Sequence, residues 1–536
     1  MKLQALWPRL YLPLILLMCA AWAWRPLEGG FDFWAHAAVG KWIWANQRVP
    51  HQGLFLWTEP DAPWIAHSWL SQVLFYGIIA NGGPRAVVIF STVMTVLVFF
   101  LLYKLWQREA EITFWTPMVF AFAIWVSAPR FQPRQELISA LFVVLLLAFL
   151  IAWQNGRFDD WLEHKGLVDA SVVAVPIITL FCLWINLHAL VAVGLLILLV
   201  TIFADGAQAL LGSDRYDAPS RNRARVLLAV GVLCMGATLL NPYGMKYWAA
   251  AEILKSGSQA QNVAEWRPFW EPIAMYEYAA IEGALFLVGF AAWLANPQRR
   301  WSHLLWLLLS AALFIKSRRM LWLSAIIFVA TIAANARYLD TPTLWRKWRR
   351  LSHGDPFEAI PDGLRTIARV GSVLCLAVWV AMAALRHNAK EAGDWSTVVR
   401  NVPEGAAQFL ADKPATLRVF NDYEDASYLQ WRLNGAPAGV PPKLGRHPLY
   451  IDLLNAYPDR LMTEYMDILN GKPAALQQID KRKINCVVLA DHHWTRKMPG
   501  AAAEDKRRVD TALIKHLKAN RWKLAFQDKQ SKIWVR

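Results

Sequence analysis

Residues 28–44 read EGGFDFWAHAAVGKWIW, a stretch that combines ionisable side chains with aromatic ones. If the stretch is helical, Asp32 and His36 lie four residues apart and share one face. Trp34, Trp42 and Trp44 are typical of a helix that lies in the interface between membrane and water. The stretch therefore predicts an interfacial helix whose polar face either borders water or forms the edge of an active site.

The composition of the chain indicates a polytopic α-helical membrane protein. Of its 536 residues, 56% are hydrophobic and 30 are tryptophan, which is too apolar for a soluble protein of this length. The formal net charge of +16 does not indicate a nucleic-acid partner, because Lys and Arg stand in short blocks between apolar runs, as orientation signals do. The five cysteines predict no disulfide framework.

About eleven apolar runs are long enough to cross a bilayer. With the N-terminus in the cytoplasm, most of the basic residues in short connections fall on the cytoplasmic side. This arrangement predicts a bacterial inner-membrane protein whose C-terminal part is periplasmic. The predicted spans are residues 10–24, 86–106, 113–128, 136–153, 170–187, 189–210, 226–241, 278–295, 301–316, 320–336 and 368–386.

The apolar periodicity stops near Asn388, which predicts a transmembrane domain at residues 1–387 and a soluble domain at residues 388–536. In the soluble part, TLRVFN and INCVVLA are typical of buried strands, RRVDTALIKHLKAN of an amphipathic helix and WKLAFQDKQSKIWVR of a hairpin. Alternating strands and helices predict a small α/β domain. The DHHW stretch at 491–494 is interpreted as a solvated loop rather than a metal site, because adjacent histidines point in different directions.

Polar side chains recur at the predicted periplasmic ends of several spans and in the loop at 25–85. Ionisable groups are costly inside a membrane, so their recurrence at one face predicts a pocket. Arginine is unexpected on this side, so Arg318 and Arg319 require a local anion, either a substrate's lipid phosphate or an ordinary lipid. The further polar residues at this face are His67, Arg130, Arg134, Asn186, His188, Asn241, Glu265 and Lys316.

Each candidate also has a purely structural interpretation. Asp32 can cap the interfacial helix, since acids are common at helix N-termini. The histidines can serve only to hydrogen-bond the backbone. The residues alone leave both interpretations open.

Several motifs resemble an uncharacterised bacterial branch of the GT-C superfamily, whose members are integral-membrane glycosyltransferases that use polyprenyl-phosphate-linked sugars. The resemblance covers nearly the whole chain, including the C-terminal part. It implies that Asp32 is the acidic residue of the first external loop, acting as a general base or helping to hold a divalent metal. The motifs are FDFWAHAAVGKWIWANQRVP, WIAHSWLSQVLFYGIIANGG, PRFQPRQELISALF, LWINLH, LNPYG, EW, SRRM and VFNDYEDASYLQWRL.

The chain departs from the branch at the second interfacial helix, which often opens His-Glu-Trp-Leu with another acid four residues on. Here the matching positions are Ser68 and Gln72. The departure argues against a two-carboxylate site or a tightly held metal. It leaves Asp32, His36 and His67 as the catalytic candidates.

These observations predict a membrane glycosyltransferase that moves a hexosyl or pentosyl unit at the periplasmic face. Guanidinium groups would stabilise the leaving phosphate, and Asp32 would accept the proton of an acceptor hydroxyl, with inversion expected from a single displacement. The partners would be a polyprenyl-phosphate-linked sugar, a glycan, lipid or protein acceptor, and membrane lipids, without nucleic acid. No organic cofactor is expected, and a divalent metal stays open. The predicted substrate- and phosphate-binding residues are Arg134, Asn186, His188, Glu265, Arg318 and Arg319.

Three other functions compete with this prediction. A lipid-linked glycan ligase or polymerase would share the basic cluster and the polyprenyl chemistry. A transporter or flippase is disfavoured, because the spans are largely uncharged at their centres and show no repeat. A non-catalytic subunit of a glycan assembly system is favoured by the serine at position 68.

Overall fold

The protein is described by a computed structural model, which covers most of the chain. Two groups of residues considered above, Glu265 and the DHHW stretch at 491–494, lie outside the described residues. The described residues are 7–159, 167–211, 221–249, 268–269, 276–339, 362–388, 397–414, 416–434, 447–454, 457–490 and 512–536.

Helices dominate the first three quarters of the chain. Short 3₁₀ turns at Ala128–Arg130, Arg318–Met320 and Ala336–Tyr338 flank some of them. The helices are α1 (Trp7–Ala23), α2 (Asp32–Asn46), α3 (Trp69–Glu109), α4 (Thr116–Ser127), α5 (Glu136–Gln154), α6 (Leu167–Leu187), α7 (Val191–Leu211), α8 (Arg221–Ala237), α9 (Tyr276–Ala295), α10 (Trp301–Lys316), α11 (Leu321–Asn335) and α12 (Asp362–Asn388).

Six helical segments among the described residues are long and apolar enough to cross a membrane. Their presence confirms a mostly helical protein with six candidate membrane spans among the described residues. The count of about eleven spans stays a prediction, because helices such as the 12-residue α4 are shorter than the roughly 20 residues a bilayer requires. The six segments are Trp69–Glu109, Glu136–Gln154, Val191–Leu211, Glu277–Ala295, Arg318–Tyr338 and Thr366–Leu385.

The predicted interfacial helices are α2 and the first part of α3. Gly83 has a φ of 64° and is followed by Pro84, so α3 kinks there between its first part and its apolar second part. α2 packs closely on α3 through Gly40, since a Cβ at this position would lie 1.9 Å from the carbonyl oxygen of Gln72. Only glycine permits this backbone approach.

The C-terminal part contains a four-stranded sheet. Its strands are β3 (Val419–Asn421), β4 (Cys486–Ala490), β5 (Lys523–Gln527) and β6 (Ser531–Val535), in the order β3-β4-β6-β5. β3 pairs with β4 in parallel, whereas β6 is antiparallel to β4 and β5. The strands and the closing hairpin occur where the sequence predicts them. The neighbouring helices are α13 (Glu404–Ala411), α14 (Ala426–Asn434), α15 (Asp459–Leu469) and α16 (Pro473–Lys481).

The C-terminal part contacts the loop that carries α2. Strand β1 (Leu27–Glu28) pairs in parallel with β2 (Val399–Arg400), and a second bridge joins Leu56 to Leu449. The Thr58 hydroxyl donates to the carbonyl oxygen of Tyr450 over 2.7 Å. The domain boundary at residue 388 stays a prediction, but the two parts are joined by backbone pairing on either side of α2.

Candidate functional site

Asp32 is the first residue of α2, where the positive end of the helix dipole stabilises a carboxylate. Its Oδ2 atom lies 3.4 Å from Nη2 of Arg134, in the turn before α5. The Asp32 side chain is 31% exposed, whereas that of Arg134 is 13% exposed. The carboxylate thus keeps access to solvent while a mostly buried cation holds it in place.

A second ion-pair group lies at the start of α5. Glu136 is buried, with a side chain only 2% exposed. Arg319 approaches it with Nε at 2.6 Å and Nη2 at 2.5 Å from Oε1, and Nη1 of Arg130 lies 3.8 Å from Oε2. With Asp32 and Arg134, the group contains three guanidinium groups and two carboxylates, so one positive charge is left over.

Two histidine rings take part in side-chain hydrogen bonds at this face. The amide nitrogen of Gln72 lies 3.1 Å from Nδ1 of His36, so it donates to a neutral ring that carries its proton on Nε2. Ser139 accepts a hydrogen bond from the Trp184 indole and lies 2.8 Å from Nδ1 of His188. A hydroxyl can donate to Nδ1 or accept from it, so this contact fixes the position of the His188 ring and is compatible with either neutral tautomer.

Burial and nearby positive charge keep these histidines neutral. Burial is the main reason that the pKa of His36 lies well below its usual value, and the charges of His67, His188, Arg134 and Arg319 lower it further. Burial also lowers the pKa of His67 to about 4, together with Arg319. The pKa of His188 falls to about 3, again mainly through burial. These mutual influences place the three histidines and the arginines in one electrostatic cluster.

Two other predicted residues have clear structural partners. The Asn186 amide accepts from the Trp69 indole over 2.7 Å and donates to the carbonyl oxygens of Cys182 and Leu240, so it links α3, α6 and the turn after α8. Arg318 is buried and donates from Nε to the carbonyl oxygen of Pro268 over 3.2 Å. Substrate binding by Asn186 and Arg318 stays a prediction.

The structure therefore brings Asp32, His36, His67, Arg134, His188 and Arg319 into one region. It adds three residues that were not selected from the sequence, Gln72, Glu136 and Ser139, each hydrogen-bonded or ion-paired to a predicted one. Glu136 stands at the start of an apolar run two positions after Arg134. Its charge at the boundary of a predicted span is the sequence feature that could have identified Glu136 as a site residue.

The donor groups described here do not fit a divalent cation. Asp32 and Glu136 both face guanidinium groups, and Gln72 stands at the position where a second acid would be expected. Within the described residues, no three His, Cys, Asp or Glu side chains form a group that could hold a metal ion.

Proteins of known structure share the fold of this chain, but no relative is detected by sequence. No family model matches the chain, and no curated protein matches it by sequence. The archaeal oligosaccharyltransferase AglB from Archaeoglobus fulgidus, in complex with an inhibitory peptide and a dolichol-phosphate, matches with a TM-score of 0.55 and 12% identity, over 91% of this chain and 70% of that one. An oligosaccharyltransferase from Archaeoglobus fulgidus in the apo form matches with a TM-score of 0.55 and 14% identity, over 90% of this chain and 69% of that one.

A second kind of neighbour matches over nearly its whole length. ArnT from Cupriavidus metallidurans, bound to undecaprenyl phosphate, matches with a TM-score of 0.51 and 14% identity, over 100% of this chain and 98% of that chain. At such low identity the likeness concerns the fold. The chain therefore shares its overall fold with the oligosaccharyltransferase AglB and with ArnT.

Proposed function

We propose that this protein is a membrane glycosyltransferase that moves a sugar from a polyprenyl-phosphate donor to an acceptor hydroxyl or amide. The observation that carries the proposal is the Asp32–Arg134 pair beside the Glu136–Arg319 pair, at the end of a membrane-spanning helix. It places a partly exposed carboxylate next to surplus positive charge. The neighbours with bound dolichol-phosphate and undecaprenyl phosphate support a donor of this class.

The proposed reaction needs a general base and an anion-binding group at the same depth in the membrane. Asp32 accepts the acceptor proton while the acceptor oxygen or nitrogen forms its bond to the anomeric carbon. The bond from that carbon to the phosphate oxygen breaks, and the electron pair leaves with the phosphate. Arg134 and Arg319 stabilise the charge that develops on the phosphate. A single displacement of this kind inverts the anomeric configuration.

The histidines contribute in their neutral form. Gln72 occupies Nδ1 of His36, so the Nε2 hydrogen is the group that His36 offers to a substrate. A donor of this kind suits a sugar hydroxyl or a phosphate oxygen. His36 and His67 are therefore positioned to orient the substrate, and Asp32 is the residue proposed as the base.

The proposed setting is the periplasmic face of a bacterial inner membrane, with the N-terminus in the cytoplasm and residues 388–536 forming a periplasmic domain. The pairing of β1 with β2 supports placing that domain on the same side as Asp32. The acceptor is proposed to be a glycan, a lipid or a protein.

Replacing Asp32 by asparagine preserves the shape of the side chain and tests whether Asp32 is the general base. Purified wild type and Asp32→Asn should be compared for sugar transfer from polyprenyl-phosphate sugars extracted from the native host. We expect Asp32→Asn to lose about 10²–10⁴-fold in turnover, the usual contribution of a general base. Asp61→Asn is the matched control, because Asp61 is an exposed acid of the same loop. Equal turnover by Asp32→Asn and wild type would refute the role of Asp32, and inactivity of the wild type with bound donor would favour a non-catalytic subunit.

Transfer of a complete lipid-linked glycan is a second candidate. It is favoured by the C-terminal part that packs beside α2, which provides a surface for more than one sugar unit. The mass of the product distinguishes the candidates. A single added sugar supports the first, and addition of the whole glycan supports the second.

A further inference from the structure

A cleft lies between the interfacial helices and the C-terminal part. It has a volume of about 370 Å³, within the range of roughly 300–1,000 Å³ that is usual for small-molecule sites. Trp34 of α2 and Tyr76, Ile79 and Ala80 of α3 form one wall. The opposite wall comes from the C-terminal part and contains Val399, Glu404, Tyr428, Trp431 and Arg432.

The cleft is on the side of α2 opposite to the proposed base. Residues two positions apart on an α-helix point about 200° from each other, so Trp34 faces away from Asp32 and from His36. Trp34 contacts the C-terminal part instead, with ring centroids 5.0 Å from Tyr428 and 6.4 Å from Trp431. The cleft is therefore separate from the Asp32 site and divided from it by the thickness of one helix.

The walls of the cleft are aromatic, but its charges cancel. Arg432 binds Glu404 through two hydrogen bonds, Nε to Oε2 at 2.8 Å and Nη2 to Oε1 at 2.6 Å. The Tyr428 hydroxyl donates to the same carboxylate over 2.7 Å. A paired carboxylate and guanidinium carry no net charge, so the cleft has no preference for a phosphate or another anion.

This chemistry suits a neutral ligand with apolar faces and many hydroxyl groups. Aromatic rings pack against the C–H face of a sugar, while the remaining N–H groups of Arg432, which Glu404 holds in place, offer fixed hydrogen bonds to hydroxyls. We infer that the cleft is a carbohydrate-binding subsite that holds a sugar unit of a glycan substrate while another unit lies at Asp32. The inference rests on the proposed function for the identity of that glycan.

Filling the cleft from its rim tests the inference without removing any contact. Ala80 is exposed and lines the cleft, so Ala80→Trp introduces an indole there. Leu74→Trp is the matched control, because Leu74 is exposed on the same helix and outside the cleft lining. Binding of chitotriose, maltotriose and cellotriose to the full chain in lipid nanodiscs would be measured by saturation-transfer NMR.

We expect at least one of these glycans to bind the wild type and Leu74→Trp equally. Ala80→Trp and Trp431→Ala should weaken that binding by about tenfold or more, a loss equivalent to about 1.4 kcal/mol. The inference is overturned if the wild type binds none of the three, or if Ala80→Trp binds as well as the wild type. It is also overturned if a photoactivatable phospholipid labels Trp431 and the glycans do not displace it.

The same measurement on Asp32→Asn separates the two proposals. Glycan binding that persists in a variant without transferase activity supports the cleft independently of the chemistry. Normal transferase activity in a protein whose cleft binds no glycan would leave the proposed function intact and refute the subsite.

Discussion

The Nε atom of Arg319 lies 2.6 Å from Oε1 of Glu136, although the two residues are 183 positions apart in the chain. The contact joins the start of α5 to the turn before α11, and Arg130 approaches the other carboxylate oxygen. Because Glu136 is buried, the pair fixes the positions of two helix ends beside Asp32.

Removing Arg319 should destabilise the protein strongly. Arg319→Met leaves the buried Glu136 carboxylate without its nearest cation, and breaking a buried pair in this way costs about 3–5 kcal/mol. Chemical unfolding in detergent measures the loss. Arg460→Ala is the control, since Arg460 is 75% exposed in its pair with Glu59 and should cost less than about 1 kcal/mol. Equal effects of the two variants would contradict the buried-pair interpretation.

Replacing Arg134 should reduce catalysis more than stability. Arg134→Gln removes the cation that holds Asp32 and is proposed to stabilise the leaving phosphate, so kcat/KM should fall by about 10²–10³-fold. Steady-state transfer assays measure the change. Arg85→Gln, at an exposed arginine on α3, should leave kcat/KM unchanged. A fall of less than threefold in Arg134→Gln would exclude this role for the arginine.

Stability should decrease in mild acid because of the buried histidines. The pKa of His67 is lowered to about 4 and that of His188 to about 3, while an unfolded histidine titrates near 6.5. Below pH 6.5 the unfolded chain therefore binds more protons than the folded chain. The stability that the two neutral histidines contribute is complete above pH 6.5 and is lost as the pH falls towards 4 and then 3. Unfolding midpoints measured from pH 7.5 to 4 should show this fall.

The variants His67→Gln and His188→Gln should each weaken this pH dependence. His516→Gln, in the C-terminal segment away from the cluster, is the control and should retain it. If the slope of stability against pH were the same in all three variants, the histidine cluster would not be its cause.

Arg400 should act as a positioning residue for Asp32. Its Nη2 lies 2.6 Å from Oε1 of Glu28, and the Glu28 carbonyl oxygen accepts a hydrogen bond from the Trp34 indole at the start of α2. We expect Arg400→Ala to lower kcat several-fold with little change in KM for the donor, and Arg400→Lys to recover part of the loss. Lys472→Ala, which breaks a surface pair in the C-terminal part, should change neither parameter. A change confined to the unfolding midpoint would indicate a purely structural contact.

The sequence was sufficient for those features that depend on local patterns. Apolar runs predicted the helices and the buried strand β4, and the pattern of WKLAFQDKQSKIWVR predicted the hairpin of β5 and β6. The residue types at one membrane face predicted Asp32, Arg134 and Arg319 as neighbours, and their function in one site stays a prediction. Periodicity and residue chemistry are local properties, and they survive folding when the surroundings agree with them.

The pairing of these residues could not be predicted in the same way. The i, i+4 spacing predicted only that Asp32 and His36 share one face of a helix, whereas the hydrogen bond between Gln72 and His36 results from the packing of α2 on α3 at Gly40. Glu28 and Arg400 meet across 372 positions. Such contacts depend on the arrangement of whole helices, which one sequence does not encode at any single position.

The polar groups at the two ends of α5 restrict its vertical position in the bilayer. Glu136 holds two arginines at the start of the helix, and at its end Gln154 hydrogen-bonds to Asp205, Ser302 and His303. The 19-residue helix separates these groups by roughly 27 Å, close to the hydrocarbon thickness of about 30 Å. Sliding by one turn in either direction would carry one polar group into the acyl chains. The length of the helix therefore fixes the depth of Arg134 in the membrane and, through the ion pair, the depth of Asp32.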